Sequence, residues 1–423
     1  MRALGMRELV RRIESATPPG RDRTVDALRA LAILGVVLGH WLVTALVADS
    51  GTVQGASPLQ YLPRLAPVSW LFQTLAVFFL VGGRVGAASY AKGRARGNGY
   101  RQWLGARLVR LGRPVSALLV VWAVAAAVML VAGVGAPTVH TLLKLVLSPL
   151  WFLLVFAGLT AATPLVARLH PLWPVAVVLH VDLIRYGLGG PSWLGWVNVV
   201  AGWLVPYCLG ASWARGALRG RGAAWTLLAG GAAATAGLVL WGGYPASMVG
   251  VPGSRISNLD PPTLAAVTFG LAQCGAALLL LGPLRRALAR PAAWAAVALV
   301  NLSAMTVFLW HQTAMMAVTA VGMLTGRVLP GLHTVPDAWG WVLARLVWLP
   351  VFAAALLVCW AAFHTYEQGQ RRGRGHSSVV RTGAPVTGVP GVPGVPGVPG
   401  VPGVPGVPGV RGVPRGETHH GHA

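Results

Sequence analysis

The chain has 423 residues, of which 10% are charged and 55% hydrophobic, with 55 glycines. Ordinary globular proteins carry about 25% charged residues, and so few charges cannot cover the surface of soluble domains. The net charge of +24 falls in short clusters between long apolar runs, a pattern that signals membrane topology and argues against a nucleic-acid partner.

A spanning helix needs about 20 mostly apolar residues. Ten runs qualify, over 25–48, 68–91, 114–135, 149–167, 172–188, 193–213, 223–243, 262–282, 294–324 and 338–364. The first is too long for the apolar core of a signal peptide. Cytoplasmic loops are expected to hold the Arg and Lys residues. Basic clusters precede span one (Arg2, Arg7, Arg11, Arg12, Arg21, Arg23) and follow span two (Lys92, Arg94, Arg96, Arg101, Arg107, Arg110, Arg113). Others follow span six (Arg215, Arg219, Arg221), span eight (Arg285, Arg286, Arg290) and span ten (Arg371, Arg372, Arg374). The alternate loops hold one basic residue apiece: Arg64, Lys144, Arg255 and Arg327. The expected fold class is therefore all-α, a polytopic transmembrane helix bundle of about ten spans with both termini cytoplasmic.

Three segments follow from this: a cytoplasmic N-terminal segment over 1–21, a membrane domain over 22–367, and a tail over 368–423. From Gly388 to Gly412 the tail repeats glycine every third residue, mostly as Gly-Val-Pro. Pro and Gly both oppose helix there, and the tail is expected to be disordered, with a collagen-like triple helix or a binding motif as the alternatives. His419, His420 and His422 close it, with nothing to fix a metal geometry. Cys208, Cys274 and Cys359 lie within apolar runs and read as inert thiols, so no metal site is expected.

Ionisable residues inside spans are costly and are functional candidates by default. In span one, Arg29 and His40 stand eleven apart. That is close to three helical turns, so they share a stripe about 16 Å long. Asp26 lies three before Arg29 on the same face, within ion-pair reach. One reading puts Asp26 and Arg29 at the interface and makes His40 a satisfied intramembrane histidine. The other makes His40 a general base. Arg107 and Arg110 point the same way on a helix, as a phosphate clamp or as an anchor to anionic lipid. Arg84 follows Gly82-Gly83 in span two, where the glycines allow close approach. His180, Asp182 and Arg185 share span five, and an internal ion pair is expected there. His311 lies mid-span nine and Arg345 in span ten, each placed to pair across helices. Trp151-Phe152 at the start of span four reads as an interfacial aromatic anchor. The stretch from Asn258 to Pro262 reads as an outside turn that an acceptor can touch.

Taken in order, these residues resemble the integral-membrane acyltransferases of acyltransferase family 3. The resemblance rests on Arg23, Asp26, Arg29 and His40 in span one and on Phe78, Phe79, Gly82 and Gly83 in span two. Arg107 and Arg110, then Trp151-Phe152-Leu153, then Leu309-Trp310-His311 complete it. It covers about residues 22 to 367. The family usually has Ser-Gly and an aromatic where this chain has Gly82-Gly83-Arg84. The resemblance implies O-acyl transfer, with acetyl the expected group, from cytoplasmic acyl-CoA to a hydroxyl of a glycan or other cell-envelope or secreted acceptor. Acyl-CoA would be a co-substrate, with no tightly bound cofactor. His40 would be catalytic, with Arg29 as its partner and Asp26 beside it, and Arg107 and Arg110 would engage the CoA phosphates, with Arg84 as a further donor. Asp182, Arg185, His311 and Arg345 would be acceptor-binding or structural. Direct transfer and a histidine-borne acyl intermediate both remain open. Partners would be membrane lipid, acyl-CoA and the acceptor, and the location the plasma membrane of a bacterium. The competing class is a polytopic transporter or flippase for a glycan or lipid-linked substrate.

Overall fold

The computed structural model describes residues 5–49, 52–218 and 220–368. The tail over 369–423, with its Gly-Val-Pro repeat and terminal histidines, lies outside the described residues. Helices dominate. In chain order they are α1 (Met6–Ser15), α2 (Arg23–Val43), α3 (Pro58–Tyr61), α4 (Ala66–Ser69), α5 (Leu75–Ala95), α6 (Tyr100–Val131), α7 (Ala136–Leu147), α8 (Leu150–Ala161) and α9 (Thr163–Val166). Then follow α10 (Leu172–Asp182), α11 (Gly195–Ala214), α12 (Arg221–Leu240), α13 (Leu264–Ala287), α14 (Pro291–Leu302), α15 (Ala304–Met323) and α16 (Trp339–Gln368). Strands β1 (Ala45–Asp49) and β2 (Thr52–Ala56) form one antiparallel hairpin, with Ala45 opposite Ala56. The polytopic all-α expectation holds.

Among the described residues, eight helical stretches are long and apolar enough to cross a membrane, against ten expected. The two others are α5, whose 21 residues include Arg84, Lys92 and Arg94, and α10, which ends after 11 residues in a π-turn over Leu183–Gly187. The first span ends at Val43, not 48, because residues 45–49 pair as β1. The stretch over 294–324 is two helices separated at Ser303, whose hydroxyl accepts from the Trp360 indole at 2.6 Å. Lys144, expected in a loop, sits on α7. The segment before residue 22 contributes α1, tied down by Arg23–Glu14 at 2.7 Å and by the Trp294 indole donating to Thr17 at 2.7 Å.

α2 starts where Asp22 accepts the Val25 N–H at 3.3 Å, an N-cap that satisfies one of the free first-turn donors. Its far end is closed from another helix. Arg345 of α16, 1% exposed, donates to the carbonyls of Trp41 (2.6 Å), Thr44 (2.6 Å) and Gly331 (2.9 Å). These include last-turn carbonyls that have no partner within the helix. α5 lies along α11 at backbone contact: a Cβ on Gly83 would collide with the Tyr207 carbonyl, and one on Gly210 with the Leu80 carbonyl. Small residues at such crossings let helices approach closely in a bilayer. The aromatic core at this crossing contains Phe79, Phe152, Trp203 and Phe308, each 5% exposed or less.

Candidate active site

α2 presents Arg29 and His40 toward two different cavities. Arg29 lines one of about 610 Å³, together with Arg107 and Arg110 of α6 and Asn301 of α14. His40 lines another of about 690 Å³, with Gln312 of α15, Lys144 and His140 of α7, and the loop that includes Ser257 and Asp260. The two cavities share two wall residues, Phe152 and Phe308.

His40 is held from α15. Its Nδ1 lies 2.9 Å from Nε2 of His311 and 2.9 Å from the side-chain amide nitrogen of Gln312. Nδ1 of His311 is 2.6 Å from the Phe308 carbonyl. A carbonyl only accepts, so this nitrogen carries the proton and a neutral His311 presents a bare Nε2. Nδ1–H of His40 then donates to it, and Nε2 of His40 is left with a free lone pair. This tautomer is assigned from the hydrogen-bond network, and it requires the Gln312 amide to turn over, since its nitrogen faces Nδ1 and its buried oxygen has no partner. The neighbouring turn is pinned as well, since the Trp41 indole donates to the His311 carbonyl at 3.0 Å.

The arginines of the basic cavity come from two helices, α2 and α6. Arg107 donates to the Ser89 hydroxyl, and its guanidinium lies 4.9 Å from the Trp103 ring. Arg110 is exposed one turn further along. Arg29 is half-buried, 3.7 Å from Asp26. Asp26 itself is buried and more closely bound by Arg21, at 2.6 Å. The expected Asp26–Arg29 contact is present, but Arg29 is not the partner of His40. Three turns of helix and the aromatic partition separate them, and His311 takes that place.

Several other expectations are corrected. Arg84 lines neither cavity. It pairs with Asp22 at 2.8 Å and lies 3.9 Å over the Trp213 ring, because the α5–α11 contact turns it to the bundle's edge. Burial works against the Asp22 charge, but the Thr24 hydroxyl, Arg84 and the Val25 N–H outweigh it and hold the carboxyl below its ordinary value. Asp182 and Arg185 form no ion pair. Asp182 accepts instead from Leu264 N–H (2.7 Å), Asn198 (2.9 Å) and the Tyr244 hydroxyl (3.0 Å), while Arg185 packs over Tyr186. Neither lines the two cavities. Arg345 pairs with carbonyls, not an acid. Phe152 is 3% exposed and serves as a partition, while Trp151 beside it lines the His40 cavity. Gln312, Lys144 and His140 carried no sequence motif that marked them for this cavity.

The family described as an acyltransferase domain, acyltransferase family 3, matches residues 22–364. The chain belongs to that family. It is accordingly a membrane acyltransferase. No curated protein and no solved structure matches it. Within this acyltransferase the matched stretch contains both cavities, the paired histidines and all three arginines of the basic wall.

Proposed function

We propose that the protein moves an acyl group, acetyl in the first instance, from cytoplasmic acyl-CoA to a hydroxyl of a glycan or other envelope or secreted acceptor. The plasma membrane of a bacterium is the setting this reading requires. The observation that carries it is the arrangement along α2. A histidine held through Nδ1 by a second histidine lines one cavity, and a three-arginine wall lines the other.

The arginines are at the end marked cytoplasmic by the basic loops, where acyl-CoA is found. Arg29, Arg107 and Arg110 suit its phosphates, since guanidinium groups bind them through paired hydrogen bonds. The acceptor hydroxyl occupies the His40 cavity. Nε2 of His40 takes its proton as the oxygen attacks the thioester carbon. The C–O bond forms, the C–S bond breaks, and the imidazolium returns the proton to the departing sulfur. His311 holds Nδ1–H throughout, so the ring keeps one orientation and its positive charge is shared along the relay to the Phe308 carbonyl. Asp26 positions Arg29 and takes no part at the reacting atoms.

Incubating membranes of cells that make the protein, which contain its acceptor, with radiolabelled acetyl-CoA tests this. Label transfer or CoA release is expected, and His40→Ala should abolish it with membrane insertion intact. Movement of a glycan or lipid-linked substrate into liposomes without acyl-CoA would support the transporter instead. Mass spectrometry of envelope glycans and secreted metabolites with and without the protein identifies the acceptor.

A further inference from the structure

His40 touches only the cavity away from the basic loops, the outer one, and the arginines only the one beside them, the inner one. A thioester held by the arginines must therefore bring its carbonyl through the shared wall. That wall is two rings. Phe152 and Phe308 face each other at 5.3 Å between centroids and 60°, and Phe78 backs Phe152 edge-on at 5.0 Å. Phe152 is 3% exposed and Phe308 5% exposed, so the rings are packed, with a separate cavity on either side of them. The Phe308 ring is also 6.1 Å from that of His311, so the partition ends beside the paired histidines.

We propose that the Phe152–Phe308 pair is a gate that fixes the length of the acyl group and keeps water on the acceptor side from the thioester. The proposal rests on the acyl-CoA reading above. A two-carbon acyl group passes when the rings turn and then ends at the imidazole. A longer chain must either stay coiled against packed aromatic rings or extend past His40 into the space the acceptor needs. Both alternatives lose contact area or exclude the second substrate, so selection comes from shape and not from a charged group. With the rings closed, water in the outer cavity does not meet the thioester, and hydrolysis to the free acid and CoA is suppressed until an acceptor is in place.

Membranes of cells that make the protein, which contain its acceptor, provide the test, with membranes of cells lacking it as the blank. Acetyl-, butyryl- and octanoyl-CoA are compared for label transfer and for CoA released without transfer. Phe308→Leu and Phe152→Leu should each raise the octanoyl-to-acetyl ratio about tenfold, the scale of discrimination that a few apolar atoms provide. Their uncoupled CoA release should rise with it. Phe308→Trp should shift the ratio the other way and lose butyryl transfer first. The backbone carbonyl that holds His311 is retained in each variant. If acetyl-CoA is consumed but the three variants keep the wild-type chain-length profile and hydrolysis, the gate is overturned alone. If wild-type membranes consume no acyl-CoA above the blank, the acyl-CoA reading fails and takes the gate with it.

Discussion

Nε2 of His311 stands 2.9 Å from Nδ1 of His40, across 271 positions of sequence. Two helices that enter the bundle at opposite ends of the chain are thus joined at the point where a proton is to move. The pair has the geometry of a base and its orienting acceptor, with a second imidazole where a carboxylate is the commoner choice.

His311→Ala should therefore lower kcat about 10²- to 10⁴-fold, the range over which a positioned proton-transfer group acts. His311→Gln, which can place an oxygen near the lost Nε2, should recover part of it. Equal loss in both variants, with protein levels in the membrane unchanged, would deny the orienting role. Single-turnover rates with labelled acyl-CoA separate this from a binding defect.

Arg107→Ala and Arg110→Ala should raise KM for acyl-CoA with a smaller change in kcat. The rise should shrink for a donor lacking the 3′-phosphate, because fewer charges are left to hold. Arg84→Ala should leave KM unchanged and lower thermal stability only, since Arg84 lies outside the basic cavity and pairs with Asp22. Steady-state kinetics on the three variants decides between them.

Arg345→Ala strips partners from three buried carbonyls at once. Charged hydrogen bonds of this kind contribute about 1.5–3 kcal/mol each and do not add, so a loss of about 3 kcal/mol is expected in thermal unfolding. Because Trp41 is one of those partners, kcat should fall more than KM rises. Arg345→Lys, which can reach one or two of the carbonyls, should lie between.

Acid should loosen the start of α2. The folded Asp22 carboxyl lies below its ordinary value of 3.8, so its contribution is fully present above that pH and is lost as pH falls through the lower folded value. Thermal unfolding in detergent should show a drop below about pH 4 that is reduced in Asp22→Asn. Asn keeps the cap but has no charge to lose.

The bundle was legible in the sequence because apolar run length and the Arg and Lys bias are local properties, and both survive folding. The count was not. Arg84, Lys92 and Arg94 dilute α5, while residues 45–49 read as a continuation of span one and pair as a strand instead. The stripe from Arg29 to His40 was correctly placed on one face, since helix period fixes it. What that face meets depends on which helices lie beside it, and no spacing rule gives that. His311 was visible as an intramembrane histidine, and its scarcity was the available hint that it needed a partner. Phe152 read as an interfacial anchor because an aromatic at a helix start is one by default. Its role in the partition appears only when α8 and α15 face each other.

Phe308 carries the partition on its side chain and the anchor of His311 on its carbonyl. These hang from one Cα but turn about different bonds. The ring can change rotamer without disturbing the imidazole relay, so the two sides communicate through the swing of a benzyl group and the bundle itself has no need to rock. Substrate exchange across such a barrier follows side-chain motion, and the helices can stay as rigid as their glycine contacts make them.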